Sequence, residues 1–74
     1  MNNKYYIIQL KDSIFLNGNI CNGGYETDKI FKACKFETLE EAKTYLYLDC
    51  FGEVLRKHCP NIKILEVNCE LKEV

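Results

Sequence analysis

The residues of this chain that could do chemistry are five cysteines and a single histidine. A zinc site could be assembled from Cys50, His58, Cys59 and Cys69. Structural zinc sites normally take two ligands from a C-x2-4-C knuckle, however, and no two of these cysteines stand that close. On a straight helix Cys50 and His58 lie about 12 Å apart, too far to share an ion. The sequence therefore predicts no metal site, and we expect no cofactor.

Nucleophilic catalysis by a Cys–His pair is also disfavoured. His58 and Cys59 are adjacent and point about 100° apart around a helix, so they cannot form the local hydrogen bond that activates a thiol. The odd number and wide spacing of the cysteines favour reduced thiols that pack as small apolar side chains. Gly18, Gly23 and Gly24 match neither the Walker nor the Rossmann phosphate-binding pattern. We therefore expect a protein that is not an enzyme.

The charge balance bears on the class of partner. Ten Lys and Arg against eleven Asp and Glu give a net charge of −1 over 74 residues, which argues against nucleic acid as the partner. One alternative stays open, a weak nucleic-acid-binding module that stacks bases on rings beside lysines: Tyr5, Tyr6, Phe31, Lys29, Lys32 and Lys35. The opening residues lack signal-peptide features, and no apolar stretch is long enough to span a bilayer. We expect no membrane partner and a location in the cytoplasm of a bacterial host cell.

The first half of the chain has the pattern of a β-hairpin followed by a loop. Residues 4–10 are rich in aromatic and β-branched types, and the polar cluster at 11–13 reads as a turn into a short strand at 14–16. The Asn- and Gly-rich stretch at 17–24 is typical of a loop. Residues 29–35 predict a third strand, although their alternation is imperfect.

The second half begins with a clear helix signal. Thr38 suits an N-cap, with Glu41 three residues later as its capping-box partner. The helix is expected to end near His58, because basic residues suit its last turn and Pro60 cannot continue it. A strand with one buried and one wet face then alternates through Leu65, Val67, Cys69 and Leu71.

These elements predict a single α+β domain over residues 1–74. Its small antiparallel sheet has three to four strands and packs against one helix, in the order β-β-β-α-β. Because one helix covers only one face of a sheet, we expect the other face to be partly exposed or covered by a partner.

The long helix carries two apolar stripes instead of one. Taking about 100° per residue, the first stripe contains Leu39, Ala42, Tyr45, Leu46 and Cys50, and a second gathers roughly opposite: Tyr47, Leu48, Phe51, Val54, Leu55 and His58. Three explanations stay open: a break near Gly52 that returns the second stripe to the core, self-association, or a foreign partner. The partner-binding residues predicted from this stripe are Tyr47, Leu48, Phe51 and Leu55.

A recurrent layout runs through most of the chain. It consists of the opening strand at 5–8, the short return at 14–16, the motif Ala33-x-x-Phe36-x-Thr38-x-x-Glu41-Ala42 leading into one helix, and a closing strand at 62–67. This layout resembles small proteins encoded by phages and prophages of low-GC bacteria, some of which block host defences, including anti-CRISPR proteins. The resemblance implies no catalytic residues. It implies a compact module that works by occupying a surface on another macromolecule.

The function expected on these grounds is that of a non-enzymatic phage-type accessory protein. Such a protein would bind and inhibit a bacterial host factor, either a single protein or a complex such as a CRISPR–Cas or other defence complex. The alternative is a self-associating structural or regulatory protein, a homodimer that hides Tyr47, Phe51 and Leu55.

Overall fold

The computed structural model describes residues 3–18 and 24–69 as an α+β arrangement. Strands β1, β2 and β3 come first, then one turn of 3-10 helix, helices α1 and α2, and strand β4, with these bounds: Asn3–Lys11, Ile14–Leu16, Glu26–Thr27, Ile30–Lys32, Leu39–Leu48, Cys50–His58 and Lys63–Cys69. The sheet is antiparallel, in the order β3-β2-β1-β4. The prediction of an α+β fold with up to four strands is confirmed, whereas the prediction of one helix is wrong.

The hairpin is confirmed, and its first strand is central in the sheet. Ser13 turns the chain between β1 and β2 with a positive φ of 63°. On its other side β1 pairs with β4 along its length, with Ile7 opposite Leu65 and Ile8 opposite Ile64. Central strands of this kind carry apolar side chains on both faces, and Ile7 and Ile8 are both fully buried.

The third strand lies elsewhere than the sequence predicts. Within residues 29–35 the chain makes the 3-10 turn, and then Ala33 forms an isolated bridge with Asn17. The strand β3 is only the two residues Glu26–Thr27. The imperfect alternation of 29–35 reflects this path, because the turn interrupts a period of two. Part of the predicted loop, residues 19–23, lies outside the described residues.

Both predicted ends of the helical region are confirmed. The Thr38 hydroxyl accepts a 3.1 Å hydrogen bond from the Glu41 backbone N–H, which satisfies one free donor of the first turn. The last helical residue is His58, and Pro60 and Asn61 form the turn into β4.

Between these ends the helix breaks at Asp49. This residue has extended backbone angles, φ −85° and ψ 144°, and it ends α1 and begins α2. Its carboxylate accepts a 2.9 Å hydrogen bond from the Phe51 backbone N–H, as an N-cap does. Asp49 therefore starts the second helix in a new direction, three residues before the glycine at which the sequence suggests a break.

Gly52 is the point of closest approach between the two helices. A Cβ placed on Gly52 would collide with the carbonyl oxygen of Tyr45 and would stand 2.5 Å from that of Leu46. Both carbonyls belong to the last turn of α1, so only a residue without a side chain lets α2 fold back this tightly. The role of Gly52 is steric, inside α2, and not that of a helix terminator.

Arg56 also stabilises the junction between α1 and α2. Its Nε donates a 2.9 Å hydrogen bond to the Leu46 carbonyl oxygen. That carbonyl lies at the negative end of α1, where a cation is favoured and the last carbonyls lack partners within the helix.

The two faces of the sheet differ in what covers them. On the helix face, the core cluster consists of Ile8, Leu10, Leu16, Leu46 and Leu55, with Ile64 packed against it. The opposite face, here called the open face, carries the side chains that alternate with these: Tyr5, Ile7, Gln9, Phe15, Lys63, Leu65 and Val67. The two helices contribute Leu46 and Leu55 to the helix face, and Ile7 on the open face is nevertheless fully buried.

The alternating burial expected of the last strand is confirmed for its described part, since Leu65 and Val67 are half-buried whereas Glu66 and Asn68 are exposed. Because Ile64 is opposite Ile8 in the core, the helix face of β4 carries Ile64, Glu66 and Asn68. Leu65 and Val67 lie on the open face and are half-buried there. The apolar residues of the alternation therefore do not face the helices. Leu71, the last of that pattern, lies outside the described residues.

The Gly52 contact makes a direct prediction for stability. At an ordinary helix position Gly→Ala stabilises by about 1 kcal/mol, whereas Gly52→Ala is expected to lower the free energy of unfolding by about 1–3 kcal/mol, because the added methyl group overpacks the junction. Urea unfolding followed by circular dichroism measures the change. Lys43→Ala, on the exposed side of α1, is the control and should leave stability within about 0.5 kcal/mol. A Gly52→Ala protein as stable as the wild type would contradict the close approach.

Candidate interaction surface

The four residues predicted to bind a partner separate into two groups at the helix break. Tyr47 and Leu48 lie on the surface, with 55% and 80% of their area exposed. Phe51 is half-buried against the core, and Leu55 is 2% exposed within it. The explanation by a return to the core thus applies to Phe51 and Leu55. A partner-binding role for the four residues stays a prediction, and only Tyr47 and Leu48 present substantial surface for it.

Phe51 is held inside by neighbouring rings. Its ring meets Tyr45 edge-on, with centroids 6.3 Å apart, and meets Tyr25 in the same way at 6.2 Å. Such T-shaped pairs stabilise beyond the area that they bury. The break at Asp49 turns Phe51 toward these rings, so the residue that looks like part of an outer stripe is a structural side chain.

The exposed ring of Tyr47 is contacted by Arg56. The Arg56 guanidinium carbon lies 5.5 Å from the centre of the Tyr47 ring, within the range of a cation–π interaction. Since the same guanidinium group holds the Leu46 carbonyl, the ring is fixed relative to the helix junction.

A shallow groove of about 520 Å³ opens beside Leu48 on the outer side of α1. Two aromatic rings, Phe36 and Tyr45, line it with their centroids 5.4 Å apart. The other lining residues are Glu40, Glu41, Thr44, Leu48 and Asp49. We call this feature the Leu48 groove. It is a mostly apolar depression with three carboxylates among its lining residues.

The carboxylates of the Leu48 groove are not neutralised within the described part of the chain. Glu40, Glu41 and Asp49 take part in none of the ion pairs among the described residues, which join Lys4 to Glu66, Lys11 to Glu26 and Lys57 to Glu53. Negative charge beside an apolar surface selects for a partner of opposite charge.

The surroundings of Tyr45 in the Leu48 groove change the pKa of its hydroxyl. Burial raises the pKa of the Tyr45 hydroxyl, and the nearby Cys34 thiolate and Asp49 carboxylate raise it further. The Tyr45 hydroxyl, which is neutral at physiological pH at its ordinary pKa, therefore keeps its proton to a higher pH than an exposed tyrosine.

Sequence reasoning did not identify the Leu48 groove. It placed Phe36 in the motif that leads into the helix and Tyr45 in the first stripe. The available signal was an aromatic residue two positions before the Thr38 N-cap, followed by acidic residues in the first helical turn. From that position the Phe36 ring reaches Tyr45, seven residues into the helical region.

The residues considered for metal binding or catalysis do not form a cluster. Cys50 and His58 are exposed at opposite ends of α2, and Cys59 is half-buried beyond it. Among the described residues no group of three or more His, Cys, Asp or Glu side chains could hold a metal ion. The side chain of Cys69 lies outside the described atoms. Nor is any helix in the described ranges long and apolar enough to cross a bilayer.

Comparison with known proteins adds no assignment. No protein-family model matches the chain, and no similar protein is found among curated proteins or solved structures. The resemblance to small phage proteins therefore stays a prediction.

The half-buried thiol of Cys34 predicts how stability depends on pH. Burial raises the pKa of Cys34, so above about pH 8.5 the unfolded chain loses this proton while the folded chain retains it. The free energy of unfolding is therefore expected to fall as pH rises from 8 to 10. Urea unfolding at each pH should show a shallower fall for Cys34→Val than for the wild type.

The matched control is Cys50→Val, because Cys50 is exposed. This variant should keep the pH dependence of the wild type. Equal slopes for Cys34→Val and Cys50→Val would contradict the burial of the Cys34 thiol.

Proposed function

We propose that this protein is a non-catalytic binding module that occupies a surface on another protein through the Leu48 groove. The observation that carries the proposal is Leu48 itself, which at 80% is the most exposed large apolar side chain in the described part of the chain. Covering such a side chain contributes about 1.5–3 kcal/mol to association.

The position of Leu48 favours binding further. It is the last residue of α1, directly before the Asp49 cap, and the junction behind it is held by Gly52 and Arg56. A leucine on a rigid element loses little additional freedom when a partner covers it, so more of the contact energy appears as affinity.

The negative charges of the Leu48 groove favour a partner with a basic surface. Three carboxylates without ion-pair partners, set around two aromatic rings, fit an apolar side chain flanked by Lys or Arg. Proteins that handle nucleic acids carry basic surfaces of this kind. This agrees with the narrower form of the proposal, which rests on the resemblance to phage proteins: the partner is a bacterial host factor, such as a CRISPR–Cas defence complex, and binding inhibits it.

A homodimer through the second stripe has less support. Of the three residues that it would hide, Leu55 and Phe51 already pack inside one chain, which leaves Tyr47. A second copy would also bring the groove carboxylates of two chains together, and like charges across an interface are unfavourable.

The proposal predicts a Leu48-dependent complex with a host protein. Tagged wild-type protein is expressed in a low-GC bacterium that carries a CRISPR–Cas system. We expect it to co-purify with one stoichiometric basic partner and to reduce the interference of that system with a plasmid that it targets. Leu48→Glu should lower both partner recovery and inhibition at least tenfold, because it places a charge in the apolar contact.

Val54→Glu is the matched control, since Val54 is 46% exposed on α2 but does not line the groove. It should retain both activities. Absence of a stoichiometric partner would overturn the binding proposal, as would equal losses in the two variants. A complex that leaves interference unchanged would overturn only the narrower form.

A further inference from the structure

The 3-10 turn at Ile30–Lys32 carries a second exposed apolar projection. Ile30 and Phe31 are neighbours in the chain and are 48% and 69% exposed. Phe31 is the most exposed phenylalanine or tyrosine side chain in the described part of the chain. We call Ile30–Lys32 the Phe31 turn. Like Leu48, it leaves large apolar side chains in water that association covers.

The Phe31 turn is held against the end of β2 by backbone hydrogen bonds. The Gly18 N–H donates to the Lys32 carbonyl oxygen at 2.9 Å, and the Cys34 N–H donates to the Leu16 carbonyl oxygen at 2.8 Å. Because this backbone is already fixed, a partner that covers the turn has little of it left to order. More of the contact energy therefore appears as affinity.

The charges beside the Phe31 turn are mainly positive. Lys29 and Lys32 are exposed on either side of its apolar pair, and neither forms an ion pair with a described residue. Over residues 28–37 three lysines stand against two carboxylates, those of Asp28 and Glu37, so this stretch has a net charge of +1. The turn is an apolar pair flanked by lysines.

The Leu48 groove has the complementary character. Two aromatic rings and three carboxylates line it, and none of its lining residues is a lysine or an arginine. Lys43, the one cation in α1, does not line the groove. The volume of about 520 Å³ lies within the range of sites that hold small ligands, so there is room for one or two apolar side chains. The chain itself therefore carries a segment of the kind that the groove favours.

We propose that the Leu48 groove of one copy of this chain binds the Phe31 turn of a second copy. The inference rests on the proposed function, because it uses the same groove, and it makes the chain a competitor of its own partner. In the complex Phe31 packs beside the Phe36 and Tyr45 rings, while Lys29 and Lys32 face the groove carboxylates.

This contact differs from a pairing of like surfaces. A turn meets a groove, so lysines lie opposite carboxylates and the carboxylates of two grooves are not brought against each other. The area that one turn covers is small, which places the interface at the weak end of the known range. We expect a Kd of about 0.1–1 mM. A host protein that fills the groove more tightly displaces the second copy.

Sedimentation equilibrium from about 20 µM to 1 mM tests the inference. The buffer contains a reductant, because the exposed Cys50 thiol would otherwise form disulfides between chains. The average mass of the wild type is expected to rise with concentration. Phe31→Glu and Leu48→Glu should each weaken association at least tenfold, since each places a negative charge in an apolar contact. Val54→Glu makes the same change in charge at an exposed position outside the groove and should associate like the wild type.

An equimolar mixture of Phe31→Glu and Leu48→Glu identifies which surfaces meet. The first variant keeps its groove and the second keeps its turn, so one intact contact forms between them. The mixture should associate at least fivefold more tightly than either variant alone. A contact of groove with groove would instead be lost only in Leu48→Glu, and a contact of turn with turn only in Phe31→Glu.

Three results would overturn the inference. One is a wild-type protein that stays monomeric at about 1 mM, another is association that only one of the two variants weakens, and the third is a mixture that associates no better than its components. Phe31→Glu keeps its groove and should still co-purify with the host partner. Loss of host capture with self-association intact therefore counts against the proposed function alone, and the reverse result counts against this inference alone.

Discussion

Gly52 brings the backbone of α2 against the last carbonyl groups of α1, and most of the molecule's organisation depends on that approach. The helical stretch from residue 39 to 58 carries two apolar stripes on opposite sides, which one straight helix over one sheet cannot bury together. The break at Asp49, the missing side chain at Gly52 and the Arg56 bond to the Leu46 carbonyl solve this problem jointly. They turn α2 so that Leu55 enters the same core as Leu46.

The same turn determines what remains outside. Leu48 belongs to the second stripe but is the last residue of α1, so it does not follow Leu55 into the core and stays exposed at the Leu48 groove. On the other side of the sheet, the alternation of β1 and β4 leaves Ile7 fully buried and Leu65 and Val67 half-buried.

The sequence predicts the parts of this structure that follow from local rules. The hairpin, the Thr38 cap, the end of the helical region at His58 and the α+β class all arise from turn chemistry, capping and periodicity. The break at Asp49 is not predictable in this way, because an aspartate in mid-helix is unremarkable until the glycine three residues later is seen to touch another helix. The face taken by β4 depends on its register with β1. Ile64 is opposite Ile8, and a register shifted by one residue would have put Leu65 and Val67 in the core.

The account's central claim is that the helix breaks at Asp49 with Gly52 against the end of α1, and NMR spectroscopy of the wild-type protein tests it most directly. We expect extended backbone chemical shifts at Asp49 and nuclear Overhauser effects between the α-protons of Gly52 and protons of Tyr45 and Leu46. In an unbroken helix Leu46 and Gly52 would lie about 9 Å apart along the axis and would give none. Helical shifts at Asp49, with continuous medium-range effects from Leu46 to Cys50, would contradict the account.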